Sequence, residues 1–240
     1  MAKPLHPRVT YIKSGAPASD DDLRRRVVDI HQQHGPLIEQ YHELWYRSLD
    51  ITWGSTRYLG VPLMKSPNDL WIYQELFTLF RFQTVIECGT YAGGSALWYA
   101  SLMDALGMDD FARVHSIDID HTYRRVQKHR RIAFYDADST DPKLVARLVK
   151  KIKRPLLVVL DSEHSYAHVS AELATWAPHC VRGDWMVVED TNVSFPQDSG
   201  AGGALREFLR DPNHRHQWRQ EPLCERYLLT MHPGGWLERV

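Results

Sequence analysis

Residues 155–190, PLLVVLDSEHSYAHVSAELATWAPHCVRGDWMVVED, decide the fold. Two apolar runs rich in β-branched residues, LLVVL and WMVV, flank a segment of helical length, and each ends in acids: Asp161 closes the first, Glu189 and Asp190 the second. An unbroken apolar run that stops at a carboxylate is the pattern of a parallel strand buried on both faces. Such strands deliver ligands to the carboxyl edge of their sheet, where open α/β folds keep their sites. Adjacent strands lie about 4.8 Å apart, so three carboxylates would meet in one small volume and call for a cation. Oxygen donors favour a hard divalent ion such as Mg²⁺, and Asp161, Glu189 and Asp190 are its predicted ligands.

The same alternation extends upstream. QTVIECG, RVHSID and IAFYDAD read as three further strands, with helices expected near residues 93–106, 121–130, 141–152 and 165–177. Alternating strands and helices imply a doubly wound parallel sheet with right-handed crossovers. After the helical pattern GALREFLR, the segments HQWRQEPL and RYLLTMH are separated by too few residues for a crossover helix and are expected to pair antiparallel. This is the layout of a Rossmann-like class I methyltransferase fold: α/β, with a seven-stranded, mostly parallel sheet and a C-terminal antiparallel strand.

N-terminal helices precede that core. Residues 1–18, rich in Pro, Gly and Ser, are expected to be extended; Ser19 caps a helix over SDDDLRRRVVDIHQQ; a second helical segment covers PLIEQYHELWYRS. Asn68 is the expected cap of a third, DLWIYQELFTLFR, and Trp53, Trp71, Tyr73 and Phe77 read as packing residues. The division that follows is an N-terminal helical or lid region at 1–75 and a methyltransferase domain at 76–240.

At 240 residues with a formal charge of −1, the chain can bury a large core and lacks the charge bias of a dedicated nucleic-acid or anionic-membrane binder. No apolar stretch has the length of a membrane span or signal-peptide core. Cys88, Cys180 and Cys224 fit no zinc or disulfide spacing, so reduced thiols in a cytoplasmic protein are expected.

The strand-to-helix turn Glu87-Cys88-Gly89-Thr90-Tyr91-Ala92-Gly93-Gly94-Ser95 is a small-molecule cradle: its glycines permit close backbone approach, and a helix N-terminus behind it offers free amides. It lacks the G-x-G-x-x-G of dinucleotide binders, and Glu87 would repel a pyrophosphate but suit the ammonium of S-adenosylmethionine. Gly89, Thr90, Gly93 and Ser95 join Glu87 as predicted cofactor contacts. Asp118, ending the next strand, is placed for ribose hydroxyls, and Asp138 for the adenine edge. Three residues past Asp161, His164 stands beside the metal; it is the candidate general base, with a nitrogen ligand or a helix cap as the alternatives. G-x-S-x-G is absent, which removes a serine hydrolase.

The segments YLGVPLMKSPNDLWIYQEL, VIECGTYAGGSALWYASL, VVLDSEHSYAHVSAEL, VVEDTNV, GALREFL and YLLTMHPGGWLERV resemble the cephalosporin hydroxylase/rhamnosyl O-methyltransferase family from about residue 57 to the C-terminus. The resemblance implies S-adenosylmethionine and Mg²⁺ as cofactors, Asp161, Glu189 and Asp190 as metal ligands, His164 as base acting with Asp161, and Lys65 near the cofactor or acceptor. It also implies a homo-oligomer, for which the aromatic N-terminal helices would suit an interface. The expected reaction is O-methylation of a sugar or other vicinal-diol hydroxyl on a small-molecule natural product or glycolipid. A catechol-type acceptor and a hydroxylase-associated cofactor-binding protein are the alternatives. Acceptor specificity is expected in the first 56 residues and in a lid at SFPQDSGAGG.

Overall fold

The computed structural model describes residues 19–193 and 200–240. The expected extended stretch at 1–18 and the lid positions 194–199 lie outside the described residues.

The molecule is built on a seven-stranded sheet. Its strands are β3 (Thr84–Cys88), β4 (Arg113–Asp118), β5 (Ile132–Asp136), β6 (Leu156–Leu160), β7 (Trp185–Val188), β8 (Trp218–Gln220) and β9 (Trp236–Arg239), in the spatial order β5-β4-β3-β6-β7-β9-β8. A separate ribbon pairs β1 (Arg57–Tyr58) with β2 (Val61–Pro62). Strands β3 to β7 are parallel, and β9 joins β7 and β8 antiparallel.

Burial explains the apolar runs. All five residues of β6 are buried; Leu156, Val158 and Leu160 face one core while Leu157 and Val159 face the other, as the period of two requires. On the first face lie α5 (Tyr166–Trp176) and α6 (Ala201–Arg210), contributing Leu173, Trp176, Leu205 and Phe208. On the second lie α2 (Pro67–Phe80) and α3 (Gly94–Ala105), contributing Ile72, Phe77, Tyr99 and Met103. The short α4 (Pro142–Val149) connects β5 to β6, with Leu144 and Leu148 in the first core.

Register sets the site. Cys88 is level with Ile117 of β4 and with Leu160 of β6, and Leu160 is level with Val188 of β7. Gly89, Asp118, Asp161 and Glu189, each the next residue or the last on its strand, therefore stand along one carboxyl edge. The chain crosses over between β3 and β6 there, which is the switch point of the sheet.

Four local expectations change. The two N-terminal helical segments form one helix, α1 (Asp20–Arg47), which runs through Pro36; Ser19 caps it, Oγ accepting from Asp22 N at 3.2 Å. Ser66, not Asn68, caps α2, with Pro67 in the first turn where a missing N–H costs nothing. No helix forms at 121–130. Val126 is the one buried residue of that stretch, so no apolar face exists to hold a helix to the core; Arg125 N instead donates to Ala92 O at 3.0 Å. The antiparallel partner of β8 is β9 rather than RYLLTMH, because Met231 N donates to the buried Asp69 Oδ2 at 2.9 Å and ties that segment to α2.

All three cysteines are free and buried. Among the described residues no helix is long and apolar enough to cross a membrane.

Candidate active site

A cavity of about 710 Å³ opens along the carboxyl edge. Its wall includes the glycine turn (Gly89, Thr90, Ser95), the strand-end acids Asp118, Asp138, Asp161 and Asp190, and His164.

The glycine turn is shaped by its neighbours. Gly89 has φ +99°, and a Cβ there would lie 1.8 Å from the Asp161 carbonyl oxygen. Asp118 stabilises the turn: its Oδ2 accepts from Thr90 N at 2.8 Å and Tyr91 N at 3.0 Å. Below it a hydroxyl chain runs from Thr90 Oγ1 to Ser116 Oγ (2.6 Å) and on to Glu87 Oε2 (2.5 Å). Glu87 is fully buried, and its Oε1 has no hydrogen-bond partner. Burial pushes its carboxyl up to about 7, despite hydrogen bonds from Ser116 and Ser95 that lower it. Asp138 accepts from Thr140 N and Oγ1, each at 2.7 Å, and those bonds hold it below the usual carboxylate range.

At the other end, β7 stops at Val188, and Asp190 takes a left-handed φ of +53°. That turn sends the two neighbouring acids in different directions. Asp190 enters the cavity, where its Oδ2 lies 2.9 Å from His164 Nε2 while its Oδ1 is buried without a partner. Glu189 points into the interior and accepts from Tyr73 Oη at 2.6 Å and Lys65 Nζ at 2.5 Å. Ligand atoms of Asp161, His164 and Asp190 lie within 4.8 Å of one another, close enough to hold a metal ion between them.

Charge is dense here. Burial and the adjacent Glu189 push Asp161 up to about 7, against the pull of Lys65. Burial opposes the His164 imidazolium, but Asp190, Asp161 and Glu189 outweigh it and raise the group to about 9. Burial likewise opposes ionisation of Glu189, which Lys65 nevertheless holds below its ordinary value. A cation among these groups would relieve the repulsion, and the carboxylates of Asp161 and Asp190, the latter with a buried unpartnered Oδ1, fit a hard one.

The structure thus brings Gly89, Thr90, Ser95, Asp118, Asp138, Asp161, His164 and Asp190 to one cavity. Glu87, Gly93, Glu189 and Lys65 are not on its wall. Glu87 supports the turn from beneath; Gly93, at φ +83°, packs on Val126; Lys65 is buried against Asp161 and Glu189.

Several residues escaped sequence reasoning. Tyr73 packs on Tyr99 and Trp236 as expected of a core aromatic, yet its hydroxyl holds Glu189. Glu172, fully buried, accepts from Ser139 Oγ at 2.5 Å and Ser162 Oγ at 2.7 Å and so joins the loops after β5 and β6. Its signal was legible: Val169, Glu172, Leu173 and Trp176 share one helical face, and an acid on a buried stripe needs partners. Tyr46 and Trp53, stacked with centroids 5.1 Å apart, line the cavity wall with Leu63. Trp53 packs, as expected, but on the cavity.

A mostly parallel sheet carrying a glycine-rich turn and acid-ended strands at its switch point defines an α/β protein with a small-molecule site. The chain belongs to the Rhamnosyl O-methyltransferase/CmcI family, whose sequence model matches residues 51–240. It is 35% identical over 215 residues to the rhamnosyl O-methyltransferase of Mycobacterium tuberculosis (strain H37Rv), covering 85% of each chain. To that of Mycobacterium leprae (strain TN) it is 32% identical over 169 residues, 69% of this chain and 72% of the relative. It shares its fold with an apo structure of CmcI (21% identity, 77% of this chain and 76% of that one, TM-score 0.59). A Mg–SAM structure of CmcI is similar at 20% identity, with the same coverage and TM-score. The chain is therefore an enzyme of an O-methyltransferase family.

Proposed function

We propose that the protein is an S-adenosylmethionine- and Mg²⁺-dependent O-methyltransferase that methylates a hydroxyl of a sugar, of the deoxyhexose class named for its mycobacterial relatives. The observation that carries this reading is that one cavity holds both the glycine turn and the Asp161, His164, Asp190 cluster.

S-adenosylmethionine supplies, when bound, a methyl group on a positively charged sulfur. The turn from Gly89 to Ser95 would hold it, with Asp118 keeping the turn's amides in place and Asp138 at the far end of the wall. Mg²⁺ supplies, when bound, a Lewis acid that makes an acceptor hydroxyl more acidic. Asp161 and Asp190 would hold it, together with Glu189 through lone pairs its Lys65 and Tyr73 bonds leave free. His164 is the residue that would receive the hydroxyl proton, once the proton that Asp190, 2.9 Å from its Nε2, holds on the ring has left. Tyr46 and Trp53, on the cavity wall, would pack against the acceptor. The residues' main contribution is positioning, because holding donor and acceptor in line replaces an encounter in solution.

The test is methyl transfer from labelled S-adenosylmethionine to rhamnosyl and catechol acceptors, with Mg²⁺ and with chelator. Transfer to the sugar that needs Mg²⁺ supports the reading. Sugar methylation undiminished by chelator, or transfer to the catechol alone, rejects it.

A further inference from the structure

Lys65 is held from both sides of its backbone. Its N–H donates to Thr56 Oγ1 at 3.2 Å, and the next residue, Ser66, begins the capped N-terminus of α2. The side chain, 2% exposed, ends with Nζ 2.7 Å from Asp161 Oδ2 and 2.5 Å from Glu189 Oε2. An ammonium is not buried without a reason, because removing it from water is costly unless its partners are well placed. Here the partners are two of the three acids that would hold the metal.

We propose that Lys65 is the resident counter-cation of the metal site, a positioning residue that keeps Asp161 and Glu189 converged before the metal arrives. The inference rests on the Mg²⁺ reading above and deepens it. Without Lys65, Asp161 and Glu189 face each other with no positive group between them and the fold must bear their repulsion until a cation binds. The stabilisation that Lys65 gives is thus larger in the metal-free protein than in the loaded one. By the thermodynamic cycle, its removal tightens metal binding while weakening the empty protein.

The experiment is thermal unfolding and MgCl₂ calorimetry on the full chain, wild type against Lys65→Met, with Lys65→Met/Glu189→Gln as second variant. The expected result is a lower melting temperature for metal-free Lys65→Met, a larger rise on adding MgCl₂ than wild type shows, and roughly tenfold tighter Mg²⁺ binding. Removing the opposing charge in the double variant restores metal-free stability, which a packing role for Lys65 would not produce. Unchanged or weaker Mg²⁺ binding by Lys65→Met overturns the proposal, and if that variant does not fold, a double variant no more stable than it overturns it too. Absence of Mg²⁺ binding by the wild type overturns the metal reading itself, so the two failures are distinguishable.

Discussion

Gly89→Ala makes the sharpest prediction because its clash can be worked from coordinates. Gly89 has φ +99°, and a Cβ would sit 1.8 Å from the Asp161 carbonyl oxygen and 2.6 Å from its carbonyl carbon. Those are backbone atoms at the end of β6, and Asp161 N already donates to Cys88 O at 2.9 Å, so neither strand can give way alone. Left-handed backbone costs a residue with a Cβ about 1–2 kcal/mol, and overpacking a closed site costs roughly 1–3 kcal/mol more. The sum, about 2–5 kcal/mol, lowers the melting temperature by roughly 4–20 °C in a domain of this size. Relief moves Asp161 outward, so affinity for S-adenosylhomocysteine and Mg²⁺ falls along with stability. Gly107→Ala is the control: it shares the positive φ, at +60°, with nothing within 4 Å of the added carbon, so only the backbone cost remains. Thermal unfolding and calorimetry on both variants give the comparison. If Gly89→Ala is no less stable than Gly107→Ala and binds both ligands as wild type does, the close approach of β3 and β6 is not what shapes the site.

Other outcomes follow from the same geometry. Glu87 binds its proton more tightly folded, at about 7 against an ordinary 4.5, so its contribution is full below pH 4.5 and declines as pH rises to 7. That loss is roughly 3 kcal/mol; Glu87→Gln removes it, and denaturation curves across this window in which both proteins fall equally would disprove the assignment. Mg²⁺ favours the ionised form of Asp161, at about 7, and competes with the proton that Asp190 holds on His164, at about 9. Its affinity therefore rises with pH between 6 and 9 with release of protons, and heats of binding that do not vary with buffer ionisation enthalpy would contradict this. Trp53→Ala removes half of the stacked wall and raises the acceptor KM about tenfold while S-adenosylhomocysteine affinity stays constant; an unchanged KM would take Trp53 out of acceptor binding.

Much of the fold was legible because strand burial writes itself plainly. LLVVL and WMVV have no polar residue to offer water, and both are central strands. The strand-end acids were legible for the same reason, since each interrupts such a run. What the sequence could not reveal was which of the last two acids faces the cavity. Glu189 and Asp190 are neighbours, and only the left-handed turn at Asp190 separates an inward acid from one in the cavity. Lys65 lies 96 residues from Asp161 and 124 from Glu189, so no local pattern records its pairing with them. The segment at 121–130 misled because a basic stretch of good helix formers resembles a helix until one asks which face would be buried. The hairpin misled because YLLTM is apolar enough for a strand, while the buried Asp69 on α2 claims its backbone.

The account turns on His164 as the base of a metal-assisted methyl transfer. The most direct measurement is single-turnover methyl transfer to a rhamnosyl acceptor by wild type and His164→Ala, with S-adenosylhomocysteine and Mg²⁺ affinities measured on the same samples. The account predicts a rate at least about 10²-fold lower in the variant, with cofactor affinity intact and Mg²⁺ still bound. A variant that transfers methyl at the wild-type rate would contradict it, and so would one that loses Mg²⁺ and activity together, since His164 would then be a ligand instead.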